Sequence, residues 1–450
     1  MNDLTKGSPL GIIIKMSIPI MLGNLFQQLY STVDAIIVGK YIGDGALAAV
    51  GATQGVYSLI IWFVCGVAGG CVVVLAQDFG AGQTKRFREG VCQNIEISAA
   101  ITLVTTIFSL VFLRSFMSLM KIPQEIFEDT MTYLIVIIAG MAATMLYNMC
   151  ASILRAMGDS KTPFYFIIIS SVINIVLDIL FIRFFGMGVL GAALATIISQ
   201  AVSGIMCAVH MYLHFEIIHF GKEDWKYNPE RIRLMLSYGL PSGLCGITTA
   251  LGIMILQVAI NVYGTTIIAG YTAAIKLQNF VEVPFNAMCI TMVNYSGQNL
   301  GAGKIDRLHS GYISCMIMAV ILAVGFGIVA IAFGRPMSSV FVDKASATAS
   351  EVVEFSAMYI RYAGYCFIPF CILLITRSTV QGMGFRSAPV IIGVIESVFR
   401  IIGTIYLINV HNVKMICMVS PIIWVVTSVI LIFMYIFWIK HLRKILKGDQ

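Results

Sequence analysis

Residues 77–82, which read Gln-Asp-Phe-Gly-Ala-Gly, recur as Gln-Asn-Leu-Gly-Ala-Gly at residues 298–303. The two copies are 221 positions apart, about half of the 450-residue chain. Similar offsets relate other matching positions, namely Pro19 with Pro241 and the segment 157–163 with 383–389. Because several registers agree, the sequence predicts an internal repeat rather than a chance match.

The composition shows what kind of unit is repeated. Hydrophobic residues make up 59% of the chain and charged residues only 11%, whereas a soluble domain carries about a quarter charged residues. Apolar runs of about 20 residues are long enough to cross a bilayer as helices. The predicted spans of the first half are 12–38, 54–77, 91–114, 131–155, 163–184 and 188–214, and those of the second half are 234–262, 266–294, 311–333, 355–380, 388–409 and 414–439.

The predicted fold is therefore an all-α polytopic membrane protein with 12 transmembrane helices in two six-helix lobes. Residues 1–215 are expected to form the N-terminal lobe, 216–233 a cytoplasmic linker and 234–450 the C-terminal lobe. Because each lobe has an even number of spans, the repeats are parallel and a pseudo-two-fold axis should run along the membrane normal. This geometry predicts a central cleft between the two bundles.

The distribution of Lys and Arg predicts the orientation. The loops on the side bearing both termini carry 19 of the 29 basic residues, and the opposite loops carry seven, among them Lys121 and Lys344. Cytoplasmic loops collect Lys and Arg, so both termini are expected in the cytoplasm and the protein in the inner (plasma) membrane. The net charge of +7 thus reflects topology, and nucleic acid is not an expected partner.

The residue types that carry most enzyme chemistry are poorly placed in this chain. The 11 cysteines fall mostly in apolar runs and form no C-x-x-C pair, and the six histidines lie near span ends or in polar segments. A zinc site or a Ser-His pair within the membrane is therefore not expected. The Gly-Ala-Gly loops lack the P-loop pattern and are predicted to be turns. We expect no enzyme activity and no cofactor other than a coupling ion.

Ionisable residues inside predicted spans are functional candidates, because burying a charge in the bilayer costs about 3 kcal/mol on insertion scales. Asp34 lies on the first span, with Gln27 and Ser31 on the same helical stripe. Such a stripe predicts a helix face that contacts water or pairs with other polar groups. The alternatives are that Asp34 is a satisfied hydrogen-bonding residue between helices, or that it lies in interfacial water, since it precedes Gly39 and Lys40 closely.

A second polar group lies on the fifth and sixth spans. Asn174 and Asp178 are four residues apart, as are Thr196 and Gln200, so each pair shares a helix face. If these faces converge with Asp34, then Asp34, Asn174, Asp178 and Thr196 supply the oxygen ligands for a sodium ion. Two neighbouring carboxylates would equally hold a proton, because their charges repel.

The second half differs from the first. Thr249 lies at the middle of its first span, and the polar residues Lys276, Gln278 and Glu282 lie on the next span. These three residues, with Gln27, Ser31 and Gln200, are expected to line a substrate cleft. Structural pairing of Lys276 with another acid is the equal alternative. Glu396 and Arg400, four residues apart on the eleventh span, predict an internal ion pair.

Several segments together resemble the MATE family of multidrug and toxic compound extrusion transporters over essentially the whole chain. They are Asp34–Gly39, Ala76–Gly82, Leu154–Pro163, Asn174–Asp178, Gly186–Thr196 and Gly297–Gly303. The resemblance implies two six-helix lobes forming a V that rocks between inward-open and outward-open states. It implies the exchange of a substrate for H⁺ or Na⁺.

The resemblance also implies roles for individual residues. In the DinF-like members, the cation site of the first lobe uses residues that match Asp34, Asn174, Asp178 and Thr196. In the NorM-like members an acidic residue on the seventh span contributes, and here that position is Thr249. The sequence is therefore closer to the DinF-like pattern of bacterial members, and coupling is expected in the first lobe.

The leading functional hypothesis is a monomeric antiporter that exports amphipathic organic cations and contacts membrane lipids. The alternative within transport is a flippase for lipid-linked oligosaccharides or other lipids, which would favour a basic cleft. An intramembrane aspartyl enzyme is a third hypothesis, but neither aspartate stands in a G-x-G-D motif. A receptor or scaffold would need neither a repeat-related cleft nor buried acids.

Overall fold

The computed structural model describes residues 3–119, 122–342, 348–410 and 412–448. Lys121, Lys344 and His411 lie outside these residues, as do the last residues of the chain. The described residues are almost entirely helical and contain no strand. The all-helical fold class predicted from the sequence is confirmed.

Fourteen helices occur in the described residues, seven in each half of the chain. Those of the first half are α1 (Pro9–Tyr41), α2 (Asp44–Gly80), α3 (Thr84–Leu119), α4 (Phe127–Ala139), α5 (Met141–Ala156), α6 (Lys161–Asp178) and α7 (Gly188–His214). Those of the second half are α8 (Pro229–Asn261), α9 (Thr265–Gly301), α10 (Ile305–Ser339), α11 (Ala349–Tyr365), α12 (Phe367–Gly382), α13 (Ala388–Val410) and α14 (Val413–Gly448). Short single turns lie at Gln124–Ile126, Ile179–Phe184 and Glu216–Ile218.

Two predicted spans are each built from two helices. Helices α4 and α5 meet at Gly140 with a bend of 47°, and α11 and α12 meet at Cys366 with a bend of 58°. Pro369 explains the second break, because its ring clashes with the carbonyl of Tyr365 four residues earlier. Both breaks fall in the fourth span of their repeat, so the repeat extends to this irregularity.

Among the described residues, nine helices are long and apolar enough to cross a membrane, and the two bent pairs raise the number to 11. Helix α9 supplies the remaining predicted span. Its 37 residues correspond to a length of about 55 Å, but Lys276, Glu282 and several amides lower its hydropathy. Each predicted span therefore has a helical counterpart.

The repeated glycine motifs end helices in the same way in both halves. Gly82 and Gly303 have φ of 69° and 70°, which favours glycine because it lacks a Cβ. The amide of Gln83 donates to the carbonyl of Asp78, and that of Lys304 to Asn299. These are Schellman motifs, which satisfy carbonyls left free at a helix end. Gly158 and Gly384 end α5 and α12 similarly.

The chain divides into two compact units by its contacts. Unit 1 contains Ile18–Ile247, and unit 2 contains Leu4–Ser17 and the chain from Thr248 onward. The start of α1, up to Ser17, therefore belongs to unit 2 and the rest of that helix to unit 1, whereas α8 changes from unit 1 to unit 2 after Ile247. This division differs from the lobes predicted from the repeat, which assign each helix to one lobe.

The segment that leads into α1 is held by the Gly-Ala-Gly loop of unit 2. The amide of Leu4 donates to Gln298 Oε1 at 3.1 Å, Lys304 Nζ donates to the carbonyl of Thr5 at 2.9 Å, and Arg307 Nη1 donates to the carbonyl of Gly7 at 2.6 Å. These bonds satisfy backbone groups before the helix begins.

The segment that leads into α8 is held by the matching loop of unit 1. Arg231 forms an ion pair with Asp78, and Arg88 Nε lies 3.5 Å from Asp224 Oδ2. Residues within each motif, or shortly after it in the chain, thus hold the start of the first helix of the other repeat. The sequence predicted the motif as a turn only.

Glycines let α2 and the first half of α8 approach closely within unit 1. A Cβ built on Gly66 would lie 2.8 Å from Gly243 Cα, and one on Gly70 would lie 2.6 Å from the carbonyl oxygen of Tyr238. Small residues at such crossings let backbones pack directly in membrane proteins.

Candidate functional site

Unit 1 brings together the two acidic residues predicted for the cation site. Asp34 lies on α1 and Asp178 is the last residue of α6, and their carboxyl groups lie within hydrogen-bonding reach of one another. Asp178 is completely buried. In the described part of the chain, no donor group reaches either oxygen of Asp178 or Oδ1 of Asp34. A contact between two carboxyl groups is stable only when a proton or a cation lies between them.

The local backbone and the surrounding apolar core position this pair. Directly after Asp178, a π-helical turn, Ile179–Phe184, continues α6. Such turns widen the hydrogen-bond ladder and often occur at functional sites. An apolar cluster that includes Val38, Ile182 and Ala192 joins α1, the turn and α7 in this region. The acid pair therefore lies beside a packed core rather than in an open loop.

Tyrosines surround the acids, and the sequence analysis did not identify them. The hydroxyl of Tyr30 lies within hydrogen-bonding reach of Gln27 and Gln200 and interacts electrostatically with both aspartates. Tyr133 also interacts electrostatically with Asp34 and Asp178. Tyr30 precedes Asp34 by one helical turn, so its position near Asp34 could have been predicted from the sequence. Tyr133 is about 100 residues away from Asp34 in the sequence, and no spacing could have indicated it.

Tyr57 extends this polar group from α2. Its ring packs against the same apolar cluster, and its hydroxyl lies within hydrogen-bonding reach of Thr144. Tyr30, Tyr57 and Tyr133 therefore come from three different helices of unit 1. Their hydroxyl groups can donate or accept, which suits a site whose charge changes.

The other residues predicted for the cation site are placed as follows. Asn174 is 1% exposed, and neither atom of its amide has a hydrogen-bond partner among the described residues. The hydroxyl of Thr196 donates to the carbonyl of Ala192 at 3.0 Å, which leaves its oxygen lone pairs available. Ser31 is exposed. The structure thus unites Asp34 with Asp178, and it records no direct contact of Asn174 or Thr196 with them.

Unit 2 contains the predicted polar residues of α9. Gln278 is buried and donates from Nε2 to Glu282 Oε1 at 2.8 Å. Lys276 is exposed and therefore lies on another face of α9. The described residues include no ion pair that would bury Lys276, in contrast to the structural alternative considered for it.

The predicted ion pair between Glu396 and Arg400 is not formed. Glu396 instead lies 4.0 Å from Arg377 Nη1 of α12. Arg400 points toward α8, where the absence of a side chain at Gly252 leaves room for it; a Cβ there would lie 2.7 Å from Arg400 Cδ. Helical spacing alone cannot distinguish a partner four residues away from one on a neighbouring helix.

The described residues contain no group of three or more His, Cys, Asp or Glu side chains arranged to hold a metal ion. A sodium site would therefore depend on the two carboxylates together with amide, hydroxyl or backbone oxygens.

A family model for MatE matches residues 19–180 and 241–406, one match in each half of the chain. The chain belongs to the MatE family. The two matched regions follow the internal repeat, and members of the MatE family are transporters.

Individual MatE relatives agree with this assignment. The chain is 27% identical over 82% of its length to the probable multidrug resistance protein YpnP of Bacillus subtilis (strain 168), covering 81% of that protein. It is 23% identical over 72% of its length to the multidrug export protein MepA of Staphylococcus aureus (strain NCTC 8325 / PS 47), covering 70% of it.

Solved MatE structures share the fold of this chain. A crystal structure of MATE in the bent conformation matches with a TM-score of 0.90 and 23% identity, covering 98% of both chains. The predicted family and the fold of 12 transmembrane helices in two lobes are confirmed, and the protein is a multi-pass membrane protein. The DinF-like subtype and the roles of the site residues stay predictions.

Proposed function

We propose that this protein is a secondary antiporter that exports amphipathic organic cations in exchange for H⁺ or Na⁺. The observation that supports this proposal is the carboxyl pair of Asp34 and Asp178, in which no donor among the described residues reaches either oxygen of Asp178 or Oδ1 of Asp34. A buried pair of this kind gains a proton or a cation and loses it again when its surroundings change. That property is what an ion-coupled transporter needs.

Mutual exclusion links the coupling ion to the substrate in this mechanism. A bound proton or sodium ion removes one negative charge from the carboxyl pair and so weakens its attraction for a cationic substrate. Release of the ion restores the negative charge. Alternation between the two states is expected to accompany rocking between inward-open and outward-open forms.

Asn174 and Thr196 are proposed to complete the ion site when Na⁺ is the coupling ion. An amide oxygen and a hydroxyl oxygen are suitable ligands for a hard cation. The substrate is proposed to contact Gln27, Ser31 and Gln200 of unit 1, and Lys276, Gln278 and Glu282 of unit 2.

The membrane potential supplies about 2.3 kcal/mol per 100 mV for each positive charge that moves inward.

The test is efflux of a fluorescent organic cation from proteoliposomes, with a pH gradient and a sodium gradient imposed separately. Wild-type protein should transport under at least one gradient. Asp34→Asn should reduce that transport at least about tenfold, since the pair then loses one ionisable group. The gradient that drives transport identifies the ion.

Asp306→Asn is the matched control. It makes the same chemical change at a carboxylate that is 95% exposed and pairs with Arg443 on the surface, and transport should be unchanged. Full transport by Asp34→Asn protein would contradict the proposed coupling role. Failure of both gradients with intact wild-type protein would favour the alternative function, flipping of lipid-linked oligosaccharides or other lipids.

The bacterial relatives indicate that the protein resides in the plasma membrane. We further propose that both termini are cytoplasmic and that the monomer is the functional form. Reporter fusions to each end would test the orientation.

A further inference from the structure

A basic and aromatic patch lies at one end of unit 1, and the proposed antiport mechanism does not use it. Lys40 is in the last turn of α1, and Arg183 is in the helical turn that follows α6. Lys40 Nζ lies 5.9 Å from the centre of the Tyr41 ring, and Arg183 Cζ lies 5.6 Å from the same centre. Arg183 Cζ also lies 5.8 Å from the centre of the Phe184 ring. Two cations are thus grouped around one tyrosine ring.

The two cations have no anionic partner within the described chain. Lys40 and Arg183 form no ion pair with any carboxylate that the structure describes, whereas the exposed Arg335 of unit 2 pairs with Glu354. Like charges that lie close together repel each other. An anion bound beside both of them would relieve this repulsion.

The predicted topology does not account for these two cations. Lys40 and Arg183 belong to the seven basic residues in the loops opposite the two termini. An excess of Lys and Arg on the side of the termini sets the orientation of the chain, and basic residues on the other side oppose it. Binding of an anion supplies a separate reason for their presence.

The aromatic rings of this patch are exposed. Phe184 is 69% exposed, Phe185 is 64% exposed and Tyr41 is 42% exposed. In a membrane protein, exposed aromatic rings at the end of a span lie at the level of the lipid headgroups, and long basic side chains reach the same level. The patch therefore combines apolar contacts for a lipid with two donors for its phosphate group.

The patch is close to the acid pair along both helices. Lys40 follows Asp34 by six residues on α1, and Arg183 follows Asp178 by five residues in the turn that continues α6. At a rise of 1.5 Å per residue, these separations correspond to about 8–9 Å along each helix. A negative group on the patch would therefore offset positive charge near the two acids.

We propose that Lys40, Arg183 and the ring of Tyr41 bind the phosphate group of an anionic phospholipid at the surface of unit 1. Charge complementarity selects this headgroup, because two cations attract a lipid with a net negative charge and repel the cationic group of a neutral phospholipid. The guanidinium of Arg183 can donate two hydrogen bonds to phosphate oxygens, and Lys40 adds a point charge. This binding does not depend on the proposed antiport.

The test measures how tightly purified full-length protein binds two lipids that differ only in the headgroup. Phosphatidylglycerol and phosphatidylcholine with the same acyl chains are titrated in detergent, and native mass spectrometry counts the bound molecules. Wild-type protein should bind the first phosphatidylglycerol molecule at least about fivefold more tightly than phosphatidylcholine. A double variant with Lys40→Gln and Arg183→Gln should lose at least about fivefold of this affinity, while its phosphatidylcholine binding stays within about twofold.

Three further variants separate this site from a general attraction to anionic lipid. A double variant with Arg114→Gln and Lys414→Gln is the matched control, because it removes two other exposed cations from the loops opposite the termini. Its affinity for phosphatidylglycerol should be unchanged. A double variant with Lys40→Arg and Arg183→Lys keeps both charges and should keep most of the preference. Tyr41→Leu removes the ring that both cations share and should weaken phosphatidylglycerol binding.

Equal binding of the two lipids by wild-type protein would overturn the inference. An equal loss of phosphatidylglycerol binding in the Lys40/Arg183 and Arg114/Lys414 double glutamine variants would overturn it, as would no loss in the first of them. Displacement of phosphatidylglycerol by an equal concentration of inorganic phosphate would also overturn it, because the site would then select a soluble anion. These measurements use no gradient, so their outcome is independent of the efflux test with Asp34→Asn protein.

Discussion

Asp178 occupies a position that is unfavourable for stability and that the proposed coupling role would explain. It is completely buried, its carboxyl group faces that of Asp34, and no donor of the described chain reaches it. A protein selected only for stability would carry a neutral donor at this position. Functional sites commonly retain such unfavourable arrangements.

Asp178→Asn is therefore expected to make the protein more stable and less active. The new amide can donate to the carboxylate of Asp34, and a hydrogen bond to a charged group contributes about 2 kcal/mol. The melting temperature of the purified protein should rise, while gradient-driven efflux should fall at least about tenfold. Differential scanning fluorimetry in detergent measures the first effect. A lower melting temperature would show that Asp178 has a stabilising partner.

The sequence identified individual polar residues well but identified their partners poorly. Asp34 and Asp178 were found because a carboxylate within an apolar run is rare and costly. The tyrosines around them were missed, since an aromatic residue in a membrane helix is common and carries no positional information. The spacing predicted Arg400 as the partner of Glu396, but the observed partner is Arg377 of a different helix. Only the tertiary structure could show this.

At the scale of the helix, two glycines of α2 differ in how closely other atoms approach them. On α2, a Cβ at Gly66 would lie 2.8 Å from the backbone of α8 at Gly243, whereas one at Gly69 would have no atom within 4 Å. The two glycines are three residues apart on one helix. They therefore provide an internal comparison of the same substitution in two environments.

Gly66→Ala should destabilise the protein, because backbone atoms cannot move aside as a flexible side chain can. Overpacking typically costs about 1–3 kcal/mol. Gly69→Ala should have the opposite effect, since alanine is favoured over glycine in a helix by about 1 kcal/mol. The melting temperatures of the two variants should fall on opposite sides of the wild-type value. Equal values would contradict the close approach of α2 and α8.

Helix existence was predictable, whereas helix interruption was only partly so. Each predicted span has its helical counterpart, because a bilayer requires long apolar runs. The break at Cys366 could have been predicted from Pro369, which cannot sit in a helix interior without distortion. Gly140 gave no comparable indication, since isolated glycines occur throughout the spans of this chain.

At the scale of the whole molecule, the Gly-Ala-Gly repeat has a role beyond a turn. In each half it lies beside residues that hold the segment leading into a first helix, Leu4–Gly7 in unit 2 and residues 224–231 in unit 1. The contacts differ in part, because those of unit 2 are made to backbone groups of the segment, whereas those of unit 1 include the ion pairs of Asp78 with Arg231 and of Arg88 with Asp224. The shared element is the position of the loop.

Arg307→Gln should loosen the segment before α1. The arginine donates to the carbonyls of Gly7 and Leu4, and a glutamine is too short to reach both. Hydrogen–deuterium exchange of the amides of residues 4–8 should become about tenfold faster, which corresponds to about 1.4 kcal/mol. Arg443→Gln, which removes an exposed arginine paired with Asp306, is the control and should leave this exchange unchanged. Unchanged exchange in the Arg307 variant would show that other contacts suffice.

The bond between Leu4 and Gln298 also has a consequence for biosynthesis. These residues are 294 positions apart in the chain, so a ribosome that adds about 5–20 residues per second makes the second roughly 15–60 s after the first. During that interval Leu4 lacks this hydrogen-bond partner. The segment around Leu4 is therefore translated well before it can reach its final place, because it must wait for the part of unit 2 that holds it.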